Sequence, residues 1–301
     1  MRHMKVWFPE FFTEAHRKPG EGEVLVEALR EFGIDCQLEP YPDCSFIFCG
    51  TIWKHHLVQE HRLSNPGINT PTIHYNWDLY PFQLMELPGD YVRSDPHLWD
   101  PYLGELKTCR EIWVPSQCTT VRTKEFTERD SYVIKTSIRP WEVSKVTTGD
   151  YAVDIVRYYP DYCHVNTVDC CKAASIPLIQ SQNTLPWDEF RDVIANCRFL
   201  ISGQFEASTG GLTMLEGLWH GKPSLISNSP RHGGIDYMGD WGTYFQWDNP
   251  FLFRKALHKM YDETPVINID QAREWITEEY SEHAMAKRMA KRFWELYDES
   301  N

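Results

Sequence analysis

GGLTMLEGLWHGKPSLIS, Gly210 to Ser227, is the stretch on which the reading of the chain turns. A glycine pair opens an apolar segment, a carboxylate stands inside it, and His-Gly-Lys-Pro leads into a short apolar strand. Leu212, Met214, Leu215, Leu218 and Trp219 surround Glu216 on a predicted half-buried helix. A carboxylate buried there is costly unless a protein group or a ligand satisfies it. Glycine at 210 and 211 lets a ligand approach the backbone, and free N–H groups at a helix start attract phosphate. One turn further in, Glu216 offers acceptors to two vicinal hydroxyls, as on a ribose. The stretch therefore predicts a nucleotide diphosphate on the helix end with its pentose over Glu216. The plainer reading of Gly-Gly before a helix is a turn of the chain.

Outward from this stretch, strand patterns alternate with helical ones. Strands are predicted at 4–8, 36–38, 44–50, 71–78, 110–116 and 131–137. After an aperiodic linker, RPWEVSKVTTGD (139–150), they resume at 151–159, 176–182, 198–202, 224–227 and 241–247. Between them lie helical patterns. Val24, Leu25, Ala28 and Leu29 form the stripe of the first, after Gly20 and Gly22 and before Gly33. Others cover 96–109, the stretch from Gln117, 164–174, 185–197, 250–263 and 270–298. Such alternation through short loops predicts an α/β fold of parallel βαβ units. Two doubly wound, Rossmann-like domains facing a cleft are expected, with ligands beyond the carboxyl ends of the strands. The boundaries are drawn at 1–140 and 141–280, with 281–301 a helix packing back on the first domain.

Composition narrows the function classes. The formal net charge of −13 disfavours a broad nucleic-acid footprint, and KRMAKR (287–292) reads as the solvated face of a terminal helix. No apolar run approaches the length of a membrane span, and Pro9 and Glu10 interrupt any signal-like start; a cytoplasmic protein without membrane insertion is expected. The nine cysteines form no CxxC pair and suit neither a zinc site nor a disulfide framework. His55, His56 and His61 in KHHLVQEH lack metal-site spacing.

The wider segment SGQFEASTGGLTMLEGLWHGKPSLIS (202–227) resembles the C-terminal nucleotide-sugar motif of retaining GT-B glycosyltransferases. Gly211-Leu212-Thr213, Leu215-Glu216-Gly217 and Gly221-Lys222-Pro223 match that motif in order and spacing. HGGIDYMGDWGTYFQWDNPFLFRKALHKMYDE (232–263) is similar to the family's Gly-Gly loop, strand and helix. EIWVPSQCTTVRT (111–123) and GEGEVLVEALREFG (20–33) resemble segments of its first domain. The resemblance implies a GT-B architecture with a shortened second domain, and transfer of a sugar from a nucleoside-diphosphate donor to a hydroxyl acceptor with retention. Neither a metal nor another cofactor is implied. Ser208, Thr209, Gly210, Gly211, Leu212, Thr213 and Glu216 would bind the donor. The family's first motif acid falls on Ser208 by spacing, while Glu206 stands two residues earlier; Glu206 is preferred for holding the donor sugar. Arg157 would steady the diphosphate, with Tyr162 where the family has lysine and Lys172 or Lys135 as substitutes. On the acceptor side stand His74, Trp77, Asp78 and Tyr80 at the end of one strand, with Gly20 and Gly22 framing a loop. Each has a structural alternative: His74 as a core histidine, Arg157 as a surface strand residue, Trp77 as packing. Two rival functions remain at this point: a transferase for hydroxymethylated DNA bases, and a nucleotide-sugar epimerase or non-catalytic binder.

Overall fold

Strands and helices alternate over most of the described residues until three helices close the chain, and the strand pairings among those residues are parallel. The structure is a computed structural model and describes residues 4–9, 21–37, 43–50, 55–67, 69–76, 96–143, 145–155, 166–180, 186–204 and 212–300. Two compact units result, one formed by residues 1–139 with 280–301, the other by 140–279.

The first unit holds a six-stranded sheet in the order β2-β1-β3-β4-β5-β6. Its strands are β1 (Met4–Trp7), β2 (Ile34–Gln37), β3 (Phe46–Cys49), β4 (Thr72–Tyr75), β5 (Glu111–Val114) and β6 (Tyr132–Val133). Helices α1 (Glu21–Glu31), α2 (His55–Ser64), α3 (Pro96–Thr108) and α4 (Gln117–Thr127) form the crossovers. Residues of β3 and β4 are buried on both faces, as a helix-covered parallel sheet requires. Ser116 caps α4 by accepting from the Thr119 N–H at 3.4 Å. The strand predicted at 131–137 pairs as a strand only at Tyr132 and Val133. Beyond them, Ile134 donates its N–H to Val114 O, and its carbonyl accepts from the Tyr75 hydroxyl at 2.8 Å.

The C-terminal helical pattern, predicted as one run over 270–298, is two helices: α10 (Ile269–Tyr280) and α11 (Glu282–Ser300). Ser281 divides them because its hydroxyl accepts the Ala284 N–H at 3.2 Å, the geometry of a helix cap. The break falls where the chain passes from the second unit back to the first. Helix α11 lays Met285, Met289, Phe293 and Leu296 into the core with Val6, Phe46, Phe48 and Trp113. Arg292 ties the same helix to the first residue of β5, its Nη2 donating to Glu111 Oε1 at 2.5 Å.

The second unit holds a five-stranded sheet in the order β11-β10-β9-β7-β8. Its strands are β7 (Ala152–Asp154), β8 (Leu178–Gln180), β9 (Phe199–Ser202), β10 (Ser224–Ser227) and β11 (Gly242–Phe245). Its helices are α5 (Thr167–Ala173), α6 (Trp187–Asn196), α7 (Leu212–Trp219), α8 (Gly234–Met238), α9 (Pro250–Asp262) and α10. One sheet face packs Phe199, Ile201, Leu225 and Phe245 against Cys171, Phe253 and Leu257. On the other face α7 comes so near β9 that a side chain on Gly217 would overlap Leu200. Helix α7 ends in a Schellman turn, in which Gly221 has φ +73° and Lys222 donates its N–H to Gly217 O at 2.9 Å. The described residues of the aperiodic 139–150 stretch are irregular, as predicted, and from Trp141 onward they are fastened to this unit. Trp141 is buried beside His220, with ring centroids 5.7 Å apart, and Lys222 Nζ donates to Thr147 O at 2.5 Å.

Candidate functional site

In the second unit, polar side chains gather where the parallel strands end. The last residue of β7 is Asp154, in register with Gln180, the last of β8. Ser202 ends β9 and Ser227 ends β10, both fully enclosed. Ile, Leu and Val fill the strand interiors because those positions face helices on both sides. At the carboxyl ends of β7, β8, β9 and β10 the sequence turns polar, where backbone groups leave the ladder and a ligand can be met.

Helix α7 follows β9 and, among the described residues, runs from Leu212, where the sequence placed the helix start near Gly211 or Leu212. Its buried span runs from Thr213 to Leu218, more than the half-buried helix expected. Glu216 is 4% exposed, and Thr213, one turn earlier, is 7% exposed. The two stand three residues apart, on one face of the helix. Glu206, Ser208, Thr209, Gly210 and Gly211, which precede α7, lie outside the described residues, as does Arg157 beyond β7.

Asp154 is enclosed, and burial pushes its carboxyl up to about 7 against hydrogen bonds from Gln180 and Thr167. The Gln180 amide donates to Asp154 Oδ2 at 3.4 Å. An acid raised in this way keeps its proton in the folded chain while the unfolded chain loses it. Its contribution to stability is thus lost as pH rises from about 4 to about 7. Asp154→Asn is expected to match wild type closely at pH 4 and to exceed it by about 4 kcal/mol at pH 8. Urea unfolding of both proteins at the two pH values checks this; an equal gap at both would assign the effect to packing.

His232 is buried in the loop after β10. Its Nε2 lies 2.8 Å from Ser202 Oγ, and its Nδ1 accepts the Gly234 N–H at 3.1 Å. Burial lowers its pKa to about 4, so the ring is neutral at pH 7. Sequence reasoning passed over Asp154, Gln180 and His232. The signal for the first two was the polar residue closing each apolar run; for His232 it was the imidazole directly before Gly233-Gly234.

In the first unit, His74 is the third residue of β4 and is 1% exposed. Its Nε2 is 3.7 Å from Glu105 Oε2 on α3. Glu105 also accepts from Arg62 Nη1 at 2.9 and 3.0 Å. His74 first, and then Arg62, hold the Glu105 carboxyl below its usual range against the cost of burial. Asn76 follows, donating to Thr123 Oγ1 at 3.1 Å and accepting from the Tyr102 hydroxyl at 3.0 Å. Trp77, Asp78 and Tyr80 lie outside the described residues, as does Gly20. Gly22, expected in a loop, is the second residue of α1, because the helix starts one residue before it. His61 packs against Trp7 with the rings tilted and their centroids 4.5 Å apart. Among the described residues, no three His, Cys, Asp or Glu side chains converge as metal ligands, and no helix is long and apolar enough to cross a membrane.

No protein-family model matches the chain, and no curated protein matches it in sequence. Solved structures do. Sucrose-phosphate synthase from Thermosynechococcus elongatus superposes with a TM-score of 0.64 at 10% identity, over 99% of this chain and 100% of that one. HepE from Anabaena, crystallised with UDP-glucose, gives 0.59 at 10% identity over 97% and 100%. The lipopolysaccharide outer core galactosyltransferase WaaB gives 0.58 at 11% identity over 97% and 99%. The chain has the GT-B fold. Within that fold, the 202–227 segment runs from the end of β9 through α7 to β10. Glu216 thus stands in the second Rossmann-like unit, on the helix that leaves the strand-end edge.

Proposed function

We propose that this chain is a metal-independent, retaining glycosyltransferase that moves a sugar from a nucleoside diphosphate to a hydroxyl acceptor. The observation that carries this reading is Glu216. It is a carboxylate 4% exposed on α7 of a GT-B unit, at the position that the Leu-Glu motif of the family gives to the ribose contact. The fold adds support, since HepE, which shares it, was crystallised with UDP-glucose.

In the proposed reaction Glu216 accepts hydrogen bonds from the two ribose hydroxyls, and the backbone N–H groups of 208–211 and of Leu212 and Thr213 hold the diphosphate. Bond breaking puts charge on the leaving diphosphate, so donors fixed at its oxygens lower the barrier most. Arg157 adds a cation there, and Glu206 holds the donor-sugar hydroxyls. A phosphate oxygen of the donor takes the acceptor's proton, and no separate base is required. The acceptor side belongs to Trp77 and Asp78, which follow β4 in sequence. His74, paired with Glu105, acts through that strand.

The reading is tested by mixing the protein with UDP-, GDP-, ADP- and dTDP-sugars in EDTA. One donor should raise the melting temperature, as mass action requires; at a hundred times its Kd it adds about 2.7 kcal/mol. Free nucleoside diphosphate should then appear only when an alcohol or saccharide acceptor is added, with the product's anomeric configuration unchanged by NMR. A shift without turnover for any acceptor would leave a binding protein, and turnover that requires a divalent cation would overturn the metal-independent scheme.

A further inference from the structure

We infer that His232 is a positioning residue for the donor site, a latch that ties the end of β9 to the Gly233–Gly234 turn; this deepens the glycosyltransferase reading and, for its effect on catalysis, rests on it.

The hydrogen bonds settle which ring nitrogen carries the proton. A backbone N–H can only donate, so Gly234 must donate to His232 Nδ1, 3.1 Å away. A neutral imidazole has one proton, which then sits on Nε2 and is donated to Ser202 Oγ at 2.8 Å. Ser202 is therefore not activated by this histidine, because the nitrogen facing its hydroxyl has no lone pair to give. The pair is a strut and not a nucleophile with its base.

The surroundings fix the strut in place. A Cβ on Gly234 would lie 2.7 Å from His232 Cε1 and 2.8 Å from Ile226 Cγ2, so the turn passes between the imidazole and β10 only because it has no side chain there. The rest of the turn closes on itself. Ser227 Oγ accepts the Ser229 N–H at 3.3 Å, Ser229 Oγ accepts the Arg231 N–H at 3.2 Å, and His232 donates its own N–H to Ser229 O at 3.0 Å. His232 then reaches across from the β10 side to the last residue of the neighbouring strand. On one side of the latch the chain leaves β9 toward Gly210 and Gly211. On the other it enters α8, which packs against α7, the helix of Glu216. A rigid latch holds the end of β9 and the start of α8 at one spacing, and a bound donor then need not order them itself.

Three substitutions separate the two hydrogen bonds. Ser202→Ala removes the tie to β9. His232→Asn removes the same tie but keeps an acceptor at the position of Nδ1 for Gly234, and His232→Ala removes both. UDP-glucose is the first probe, followed by whichever nucleotide sugar the wild type uses. Ser202→Ala and His232→Asn are each expected to raise the donor KM about fivefold with kcat within about twofold, and the double variant no further, because both delete one bond. Hydrogen exchange of the Gly234–Met238 amides should speed at least about tenfold in His232→Ala and stay near wild type in His232→Asn. Unchanged exchange in His232→Ala would overturn the latch; if that variant fails to fold, an unaltered donor KM in Ser202→Ala overturns it instead. Faster exchange with an unaltered KM, or single effects that multiply in the double variant, would overturn the positioning role. A wild type that uses no nucleotide sugar would overturn the enzymatic reading and the latch's role in it, while exchange still decides whether the latch exists.

Discussion

Glu216→Gln is expected to lower kcat/KM for the donor by about two to three orders of magnitude while leaving the unfolding transition near its wild-type position. A carboxylate accepts from two hydroxyls at once; an amide has one acceptor oxygen and must also place an NH2 group. Charge-assisted hydrogen bonds contribute about 1.5–3 kcal/mol each, and about 1.4 kcal/mol is tenfold in rate. Losing one bond and misplacing a donor toward the second together account for the predicted range. Stability should not follow, because a neutral amide is less costly to bury than a carboxylate at a residue 4% exposed. Initial rates over a range of donor concentrations check the result. An unchanged kcat/KM would return Glu216 to a structural role inside α7. A loss matched by an equal loss of folded protein would do the same.

Phe293→Ala is expected to cost the first unit about 3–5 kcal/mol. The ring is fully buried and meets four aromatic partners: Trp113 at 4.8 Å between centroids, Phe48 at 5.9 Å, Phe46 at 6.0 Å and Phe8 at 6.3 Å. These partners come from β1, β3 and β5 or their immediate ends, so one side chain on α11 bridges three strands distant in sequence. Truncation leaves a cavity among rigid rings that cannot collapse to fill it. The chain has two units, so a single melting temperature would blur the effect. Hydrogen exchange resolved by segment is the appropriate measurement. Protection should fall across β1, β3, β4 and β5 and persist in β7, β9 and β10. A loss spread evenly over both sheets, or none, would contradict the packing account.

Much of the fold was legible because its determinants are local. Apolar runs such as FIFC and FLIS, separated by helical periodicity, admit few arrangements other than parallel sheets with helix crossovers. That a helix follows the glycine pair was legible for the same reason, since an apolar stripe comes directly after it. The division of the C-terminal helices was not. Ser281 looks like any polar residue on an exposed helix face until its hydroxyl is seen to cap Ala284. The length of β6 was hidden too, because Ile134 remains apolar and extended while its carbonyl turns to the Tyr75 hydroxyl instead of a neighbouring strand.

The site divides along similar lines. Glu216 announced itself as a charge within an apolar helix, a local contradiction that points to chemistry. Asp154, Gln180 and His232 depend on which strands are neighbours and where they end, which no window of sequence contains. The sheet order β10-β9-β7-β8 brings strand ends as far apart in sequence as Asp154 and Ser227 to one edge. For His74, the strand-end position that suggested a substrate contact is local, while its partner Glu105 on α3 stands thirty-one residues further on.

A crystal structure of the protein with UDP-glucose, or with whichever nucleotide sugar shifts its melting temperature, tests the central claim most directly. The account predicts both ribose hydroxyls at about 2.6–3.2 Å from the Glu216 carboxylate oxygens, with the diphosphate against the backbone N–H groups that open α7. A nucleotide seated elsewhere, with Glu216 held by protein groups alone, would contradict it.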